Sequence, residues 1–190
     1  MAFALEICAG FVFIVLFLLS SFYVVSIYNG LVTLRMNIDK SWANIDVVLK
    51  QRSDLIPNLV ETVKGYMKYE KGVLSDITRL RAEMMGAQGP AAKARASEGI
   101  SAALKSIFAV AENYPKLQAS DNFLELQKQL AAMENQIADR REFYNDSVML
   151  YNTRIRALPD MLFAALLGMR EFEYFKAQEL EKQNVEVKME

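Results

Sequence analysis

Two Tyr-Asn pairs lie one heptad apart in the stretch Phe143–Asn152, at Tyr144-Asn145 and Tyr151-Asn152. A seven-residue spacing returns to the same face of a helix. An aromatic ring beside an amide can bind a ligand between helices, or its hydrogen bonds can fix the register of packed helices. A third pair, Tyr28-Asn29, follows a long apolar run. The role of these pairs therefore depends on the elements that carry them.

Catalytic chemistry has little support in the other residues. The chain has no His, which excludes Glu-x-x-His di-iron sites and Ser-His dyads. Its one Cys, Cys8, lies at the start of the apolar run, and no Gly-rich phosphate loop occurs. Four carboxylates on predicted helices are typical of solvated faces, since an acid/base pair requires burial: Glu61, Glu70, Glu125 and Glu134. We therefore predict no catalytic residue, metal ligand or cofactor.

The apolar run predicts a membrane anchor. No charged residue lies between Glu6 and Arg35, and residues 7–27 alone are long enough to cross a bilayer. Tyr23 and Tyr28 suit an aromatic belt at the inner interface. A cleaved signal peptide is the alternative, but the start of the chain lacks Lys and Arg, and no small-residue cleavage site follows the run. These features favour an uncleaved anchor.

Flanking charge predicts which side of the membrane the rest of the chain occupies. Glu6 alone precedes the run, whereas Arg35, Lys40, Lys50 and Arg52 follow it. The positive-inside rule therefore places the remainder in the cytoplasm. The whole chain carries 22 basic and 23 acidic residues, so we expect no nucleic-acid partner.

Beyond the anchor, apolar residues step by three and four, which indicates long amphipathic helices. The first extends to about Arg52, and Asp54–Pro57 is predicted as a turn. The second runs from Pro57 to about Gly86, the third over residues 90–113, and the fourth from Ser120 or Asp121 to Pro159. Strand signals are absent. The predicted fold class is all-α: a transmembrane helix followed by an up-down antiparallel bundle of four long helices.

These elements divide the chain into an anchor at residues 1–28, a bundle at 29–158, a short apolar helix at 159–175 and a polar tail at 176–190. Counting helices places the end of the fourth near the bilayer. The uncharged stretch Met161–Met169 is too short to span a membrane but can lie in its interface. Its predicted lipid contacts are Phe163, Leu166 and Leu167. Alternatively, this stretch caps the bundle core or packs against the anchor of a neighbouring chain.

Polar and aromatic residues complete the predicted contacts. Half-buried amides that bond to a neighbouring helix would set its register, and the candidates are Asn44, Asn58, Asn135, Asn145 and Asn152. Aromatic residues beyond the apolar stretch are candidate contacts between copies: Phe172, Tyr174 and Phe175. The lipid bilayer, further copies of the chain and other membrane proteins are the predicted partners.

Several of these stretches resemble the signature of the LemA family. They are Ser-Trp-Ala-Asn-Ile-Asp at 41–46, Leu-Lys-Gln-Arg at 49–52, the run Asp54–Tyr66, Ala109–Pro115 and both later Tyr-Asn pairs. Leu158-Pro159 and Gly168-Met169 depart from the usual Phe-Pro and Gly-Phe but stay apolar. The resemblance implies a bacterial single-pass membrane protein with a helical cytoplasmic domain, and it does not imply an enzyme. One branch of the family belongs to magnetosome formation.

We therefore expect a scaffold that self-associates and organises or shapes the membrane. The rival hypothesis is a membrane-tethered sensor or ligand-binding module with a pocket between helices. Buried polar side chains around a cavity would favour the sensor, and apolar surface outside the bundle would favour assembly.

Overall fold

A computed structural model describes residues 2–67 and 69–176. In these parts of the chain it contains six helices and no strand: α1 Ala2–Lys64, α2 Lys71–Gly86, α3 Pro90–Ala111, α4 Pro115–Gln118, α5 Asp121–Arg156 and α6 Asp160–Leu166. The predicted all-α class is confirmed, and the long helices are consistent with a bundle.

The apolar run lies in the first half of α1. Of the helices described, α1 is the one that is long and apolar enough to cross a membrane. Large apolar side chains in this part of α1 are exposed, among them Phe11, Leu16 and Phe22. Exposed apolar side chains around a helix are typical of a lipid-facing span, because lipid replaces water as the solvent.

The predicted turn at Asp54–Pro57 is wrong, because α1 continues through Pro57 to Lys64. Proline cannot donate a hydrogen bond to the carbonyl four residues earlier, which here belongs to Ser53. The Arg81 side chain of α2 donates to that carbonyl instead, at 2.8 Å. A side-chain donor therefore satisfies the group that Pro57 leaves unpaired, and the helix is not interrupted there.

The chain leaves the helical conformation after Lys64 instead, and α2 begins at Lys71. The predicted second helix, from Pro57 to Gly86, is therefore divided between α1 and α2. A second turn separates α2 from α3, which pack against each other. Gly89 at this turn has a φ of 78°, a value that favours glycine, and Pro90 occupies the first turn of α3.

The predicted fourth helix matches α5 closely. Asp121 lies in its first turn and Arg154 and Arg156 lie in its last, charges that complement the helix dipole. The predicted short apolar helix at 159–175 is confined to Asp160–Leu166. Residues 169–176, called here the C-terminal segment, form neither helix nor strand.

The chain forms two compact units, and α1 and α5 contribute to both. Unit 1 comprises residues 1–40 and 146–172, and unit 2 comprises 41–145 and 173–190. The buried apolar residues of unit 1 are Ile27, Leu31, Ile38, Val148, Tyr151, Ile155 and Ala164. Those of unit 2 include Ile45, Leu49, Leu59, Ile77, Ile100, Leu130 and Phe175. The four predicted segments stay predictions, and the tail beyond Lys176 lies outside the described residues.

Candidate membrane-proximal site

Helix α6 presents apolar side chains to its surroundings. Leu166 is 83% exposed, Leu162 and Leu167 are exposed as well, and Phe163 is half-buried. Ala164 is the small residue that faces the interior of unit 1. Exposure of these leucines to water is unfavourable in free energy. An exposed apolar surface of this kind is typical of a site that contacts lipid or another protein.

A glycine ends α6 and redirects the chain. Gly168 has a φ of 63°, and the amide of Met169 donates to the carbonyl of Ala164 at 2.9 Å. The amide of Gly168 donates to the carbonyl of Ala165 at 3.2 Å, which completes a Schellman motif. The turn directs the C-terminal segment away from the helix.

Two arginines at the end of α5 form ion pairs with carboxylates that belong to the same unit, unit 1. Arg154 donates through Nε to the largely buried carboxylate of Asp160. Arg156 forms a two-pronged contact with Glu171, in which Nε donates to Oε1 at 2.7 Å. Gly30 on α1 provides space for Arg154, because a Cβ at this position would lie 3.1 Å from the guanidinium. These pairs tie α5 to α6 and to the start of the C-terminal segment.

A cavity of about 480 Å³ opens beside Glu171. We call it the basic cavity. Its lining comes from α1, α5 and the chain that follows α6: Tyr28, Arg35, Tyr151, Leu167, Gly168, Met169, Arg170, Glu171 and Phe172. Arg35 and Arg170 are exposed and form no ion pair within the described parts of the chain, whereas Glu171 is paired with Arg156. The cavity therefore carries uncompensated positive charge.

The second Tyr-Asn pair holds the start of the C-terminal segment. The Asn152 amide donates to the Phe172 carbonyl at 3.0 Å, and its oxygen accepts from the Phe172 amide at 3.0 Å. The Tyr151 ring meets the Phe172 ring edge-on, with centroids 5.2 Å apart. Burial raises the pKa of the Tyr151 hydroxyl, and the positive charge of Arg35 opposes that shift. We call this arrangement the Asn152 clamp.

The first Tyr-Asn pair makes the same arrangement in unit 2. The Asn145 amide donates to the Phe175 carbonyl at 3.2 Å, and its oxygen accepts from the Phe175 amide at 2.9 Å. The Tyr144 hydroxyl donates to the carbonyl of Glu173 at 2.9 Å. The rings of Tyr144 and Phe175 both contact Trp42, with centroid distances of 5.7 and 6.2 Å. We call this arrangement the Asn145 clamp.

Each clamp holds one residue of the C-terminal segment: Asn152 bonds to Phe172 in unit 1, and Asn145 bonds to Phe175 in unit 2. Each amide presents a donor and an acceptor to one backbone residue, as a neighbouring strand would. The partner is thus a non-helical segment, not the neighbouring helix that the sequence analysis anticipated.

Unit 2 also contains a buried polar group, the Arg52 cluster. Arg52 is fully buried and ion-paired with Glu134, a residue that is partly exposed. Its guanidinium also donates to the hydroxyls of Ser97 and Ser101, at 2.8 and 2.9 Å. Burial lowers the pKa of Arg52 from its ordinary value, and Glu134 opposes this shift. The Nε atom is buried without a hydrogen-bond partner.

The other predicted contact residues lie in varied positions. Asn44 is half-buried, whereas Asn58 and Asn135 are exposed, and their role in register stays a prediction. Phe172 and Tyr174 are half-buried. Phe175 is buried against Trp42, so its ring is not presented on the surface of unit 2. Contacts between copies through these aromatic residues also stay a prediction.

Unit 1 also has an apolar groove of about 520 Å³ that the sequence did not predict. Met149, Leu150, Ala157 and Leu158 line it, with Thr153, Arg154 and Asp160 at its polar side. Leu150 is 57% exposed, and Met149 and Leu158 are exposed too. The available signal was the pair Met149-Leu150, which is apolar but lies off the core stripe of α5, at positions where a soluble helix carries polar side chains.

The sequence is similar to known proteins. The model of the LemA family matches residues 41–189. The chain is 28% identical to magnetosome protein MamQ 2 of Paramagnetospirillum magneticum and to magnetosome protein MamQ of Magnetospirillum gryphiswaldense, over 78% of this chain and 64% of each relative. It is 26% identical to protein LemA of Metamycoplasma hominis, over 93% of this chain and 83% of that protein. The chain thus spans less than two thirds of the length of the magnetosome relatives.

Proposed function

We propose a function from the premise that this chain belongs to the LemA family: it is a membrane-anchored, non-catalytic scaffold that self-associates and organises the bacterial cytoplasmic membrane. Residues 7–27 are the anchor, and the helical domain lies on the cytoplasmic side because Arg35 and Lys40 follow the anchor whereas Glu6 alone precedes it. The likeness to relatives named as magnetosome proteins supports a role in membrane organisation by analogy.

The observation that carries the proposal is the apolar surface of α6 within the same unit as the anchor. The charge-free run at residues 7–34 rises about 42 Å as a helix, close to the 40–45 Å thickness of a bilayer with its headgroups. Arg35, the first charge after it, therefore lies at headgroup level. Leu167, next to α6, lines a cavity with Arg35 and Tyr28. This neighbourhood supports a position of α6 in the membrane interface.

Interfacial insertion gives the protein a means to act on the bilayer. Leu162, Leu166 and Leu167 would enter the acyl boundary, while the paired charges of Arg154 and Asp160 stay at its polar edge. Such a short helix adds area to one leaflet only. Repeated around an assembly of copies, this local expansion would bend or organise the membrane.

Self-association is assigned to the apolar groove of Met149, Leu150, Ala157 and Leu158, and its occupant is a second copy of the chain. Anchored copies share one orientation and diffuse in one plane, so a modest apolar contact between them is strengthened by high effective concentration. The groove has few charged lining residues, and Arg154 and Asp160 there already neutralise each other. An apolar, internally neutral surface suits contact with another protein more than contact with water.

Counting fluorophores tests self-association. Full-length protein, labelled once per chain, is reconstituted into vesicles at low density, and photobleaching steps are counted. We expect several steps for the natural chain and mostly single steps for Leu150→Glu, because a buried unpaired carboxylate disrupts an apolar interface. Leu124→Glu is the matched control, since Leu124 is 49% exposed but lies in unit 2. Single steps for the natural chain at every density would refute the scaffold.

The Arg52 cluster favours a second candidate, a membrane-tethered sensor. A buried guanidinium whose Nε lacks a partner is a polar group that a ligand oxygen could satisfy. Small anions added to full-length protein should then raise its unfolding temperature, and Arg52→Met should remove that increase. An unfolding temperature that no anion changes would exclude this candidate.

A further inference from the structure

We propose that the basic cavity binds the phosphate group of an anionic phospholipid, with Arg35 and Arg170 as its ligands. This inference rests on the proposed membrane anchoring but not on self-association. It assigns a binding site for one class of lipid headgroup, in addition to the general apolar contact of α6 with the bilayer.

The charges around the cavity favour an anion as its ligand. Among the described lining residues, Glu171 is the one carboxylate and is ion-paired with Arg156, so Arg35 and Arg170 leave the lining with a net positive charge. Arg35 and Arg170 line the cavity and have no such partner in the residues that the structure describes. A guanidinium is suited to phosphate because its planar N–H groups match two phosphate oxygens at once.

The position of the cavity relative to the membrane favours a membrane lipid as the source of the phosphate. Tyr28 directly follows the predicted span, and Arg35 is the first charged residue beyond it. The two residues therefore bracket the headgroup layer, with the ring of Tyr28 on its apolar side. Lipid phosphates occupy this layer at far higher local concentration than free phosphate does.

The lining also suits an amphipathic ligand. Leu167 is about half exposed and contributes an apolar wall, and Leu166 beside it is almost fully exposed. An acyl chain could follow these leucines while the phosphate contacts the arginines. A volume of about 480 Å³ lies within the range of small-molecule sites, which run from roughly 300 to 1,000 Å³.

Native mass spectrometry of full-length protein in detergent can test the site. Phosphatidylglycerol is titrated against phosphatidylcholine of the same chain length, for the natural chain and for Arg35→Gln, Arg170→Gln and the control Arg140→Gln. Arg140 is exposed on α5 outside the cavity, so its loss removes the same charge without removing a ligand. We expect each cavity variant to bind phosphatidylglycerol about tenfold more weakly, with phosphatidylcholine binding unchanged, as loss of a charged hydrogen bond predicts.

Three further measurements make the outcome interpretable. Arg35→Lys should recover part of the affinity, and circular dichroism should show unchanged helical content in all variants. Inorganic phosphate at millimolar concentration should fail to displace the lipid. Equal phosphatidylglycerol binding by the natural chain, Arg35→Gln and Arg170→Gln would overturn the proposal, and so would displacement by inorganic phosphate, which would make the cavity a free-anion site. Photobleaching counts are read separately, so failure of the scaffold and failure of the lipid site are distinguishable.

Discussion

Two arginine ion pairs, one in each unit, differ in burial. Unit 2 buries Arg52 completely and surrounds it with Glu134 and two serine hydroxyls. Unit 1 leaves Arg156 and Glu171 exposed to solvent and buries few large side chains on α6. A buried ion pair constrains geometry because breaking it is costly, whereas an exposed pair contributes little stability.

The two regions also differ in what they expose. The Arg52 cluster of unit 2 is buried, and most of its polar atoms have hydrogen-bond partners. The surface around α6 in unit 1 exposes the large apolar side chains of Leu158, Leu162 and Leu166. Variants of unit 2 should therefore affect stability, and surface variants of unit 1 should affect membrane and partner contacts.

The largest stability effect is expected at Arg52. Arg52→Ala removes the guanidinium that donates to Ser97, Ser101 and Glu134, so that Glu134 keeps only its bond from the Ser101 hydroxyl. We expect this change to lower the free energy of unfolding by about 3 kcal/mol. Chemical unfolding of full-length protein in mild detergent would measure the loss. Arg79→Ala is the control, because Arg79 is exposed and its pair with Glu83 should contribute less than about 0.5 kcal/mol. Equal effects from both variants would remove the contrast between buried and exposed arginine.

The second-largest effect on stability is expected at the clamps. Asn152→Ala removes two hydrogen bonds to Phe172, and we expect a loss of roughly 1–3 kcal/mol in stability together with release of the start of the C-terminal segment. Hydrogen exchange of the Phe172 amide and of the residues before it in the segment should then accelerate. Asn145→Asp sharpens the test, because a carboxylate still accepts from the Phe175 amide but cannot donate to its carbonyl. Unchanged exchange in Asn152→Ala would show that the clamp does not hold the segment.

A single hydrogen bond should have a smaller effect. Tyr144→Phe removes the bond to the Glu173 carbonyl but keeps the ring against Trp42, and we expect a loss of about 1 kcal/mol. Thermal unfolding followed by circular dichroism would measure it. Tyr66→Phe, at an exposed position, should be neutral, and a loss as large as that of Tyr144→Phe would contradict this explanation.

The smallest expected effect is at alkaline pH. The folded-state pKa of Tyr151 is raised, so the folded protein holds its proton more tightly than the unfolded chain does. The resulting stabilisation is complete below the unfolded-state pKa of about 10 and is lost as pH rises through the folded-state pKa. Unfolding measured from pH 9 upward should show a weaker decline in Tyr151→Phe than in the natural chain. Identical declines would indicate that Tyr151 does not contribute.

The elements that depend on local sequence were predictable. The charge-free run identified the apolar part of α1, and the start of α5 followed from Asp121. The turn predicted at Pro57 was wrong because local rules favour a turn at proline. In the structure Arg81, which is distant in sequence, donates to the carbonyl of Ser53 that Pro57 leaves unpaired. That compensation has no local signature.

Contacts that join distant segments were only partly predictable. The heptad of the Tyr-Asn pairs indicated a shared role, and the structure shows that the amides bond to the backbone of Phe172 and Phe175. Periodicity could not reveal this partner, because the C-terminal segment has no regular pattern. Nor could it reveal the Arg52 cluster, which depends on α1, α3 and α5 meeting at one place.

The most direct test of the central claim is the depth of α6 in the membrane. Because the chain has one Cys, a Cys8→Ser background allows a single nitroxide label at Leu166→Cys or at Leu124→Cys. Electron paramagnetic resonance of full-length protein in phospholipid vesicles then compares relaxation by oxygen, which concentrates in lipid, with relaxation by a water-soluble nickel chelate. The label at position 166 should respond mainly to oxygen and the label at 124 to nickel. A label at 166 as accessible to nickel as the label at 124 would contradict an interfacial α6.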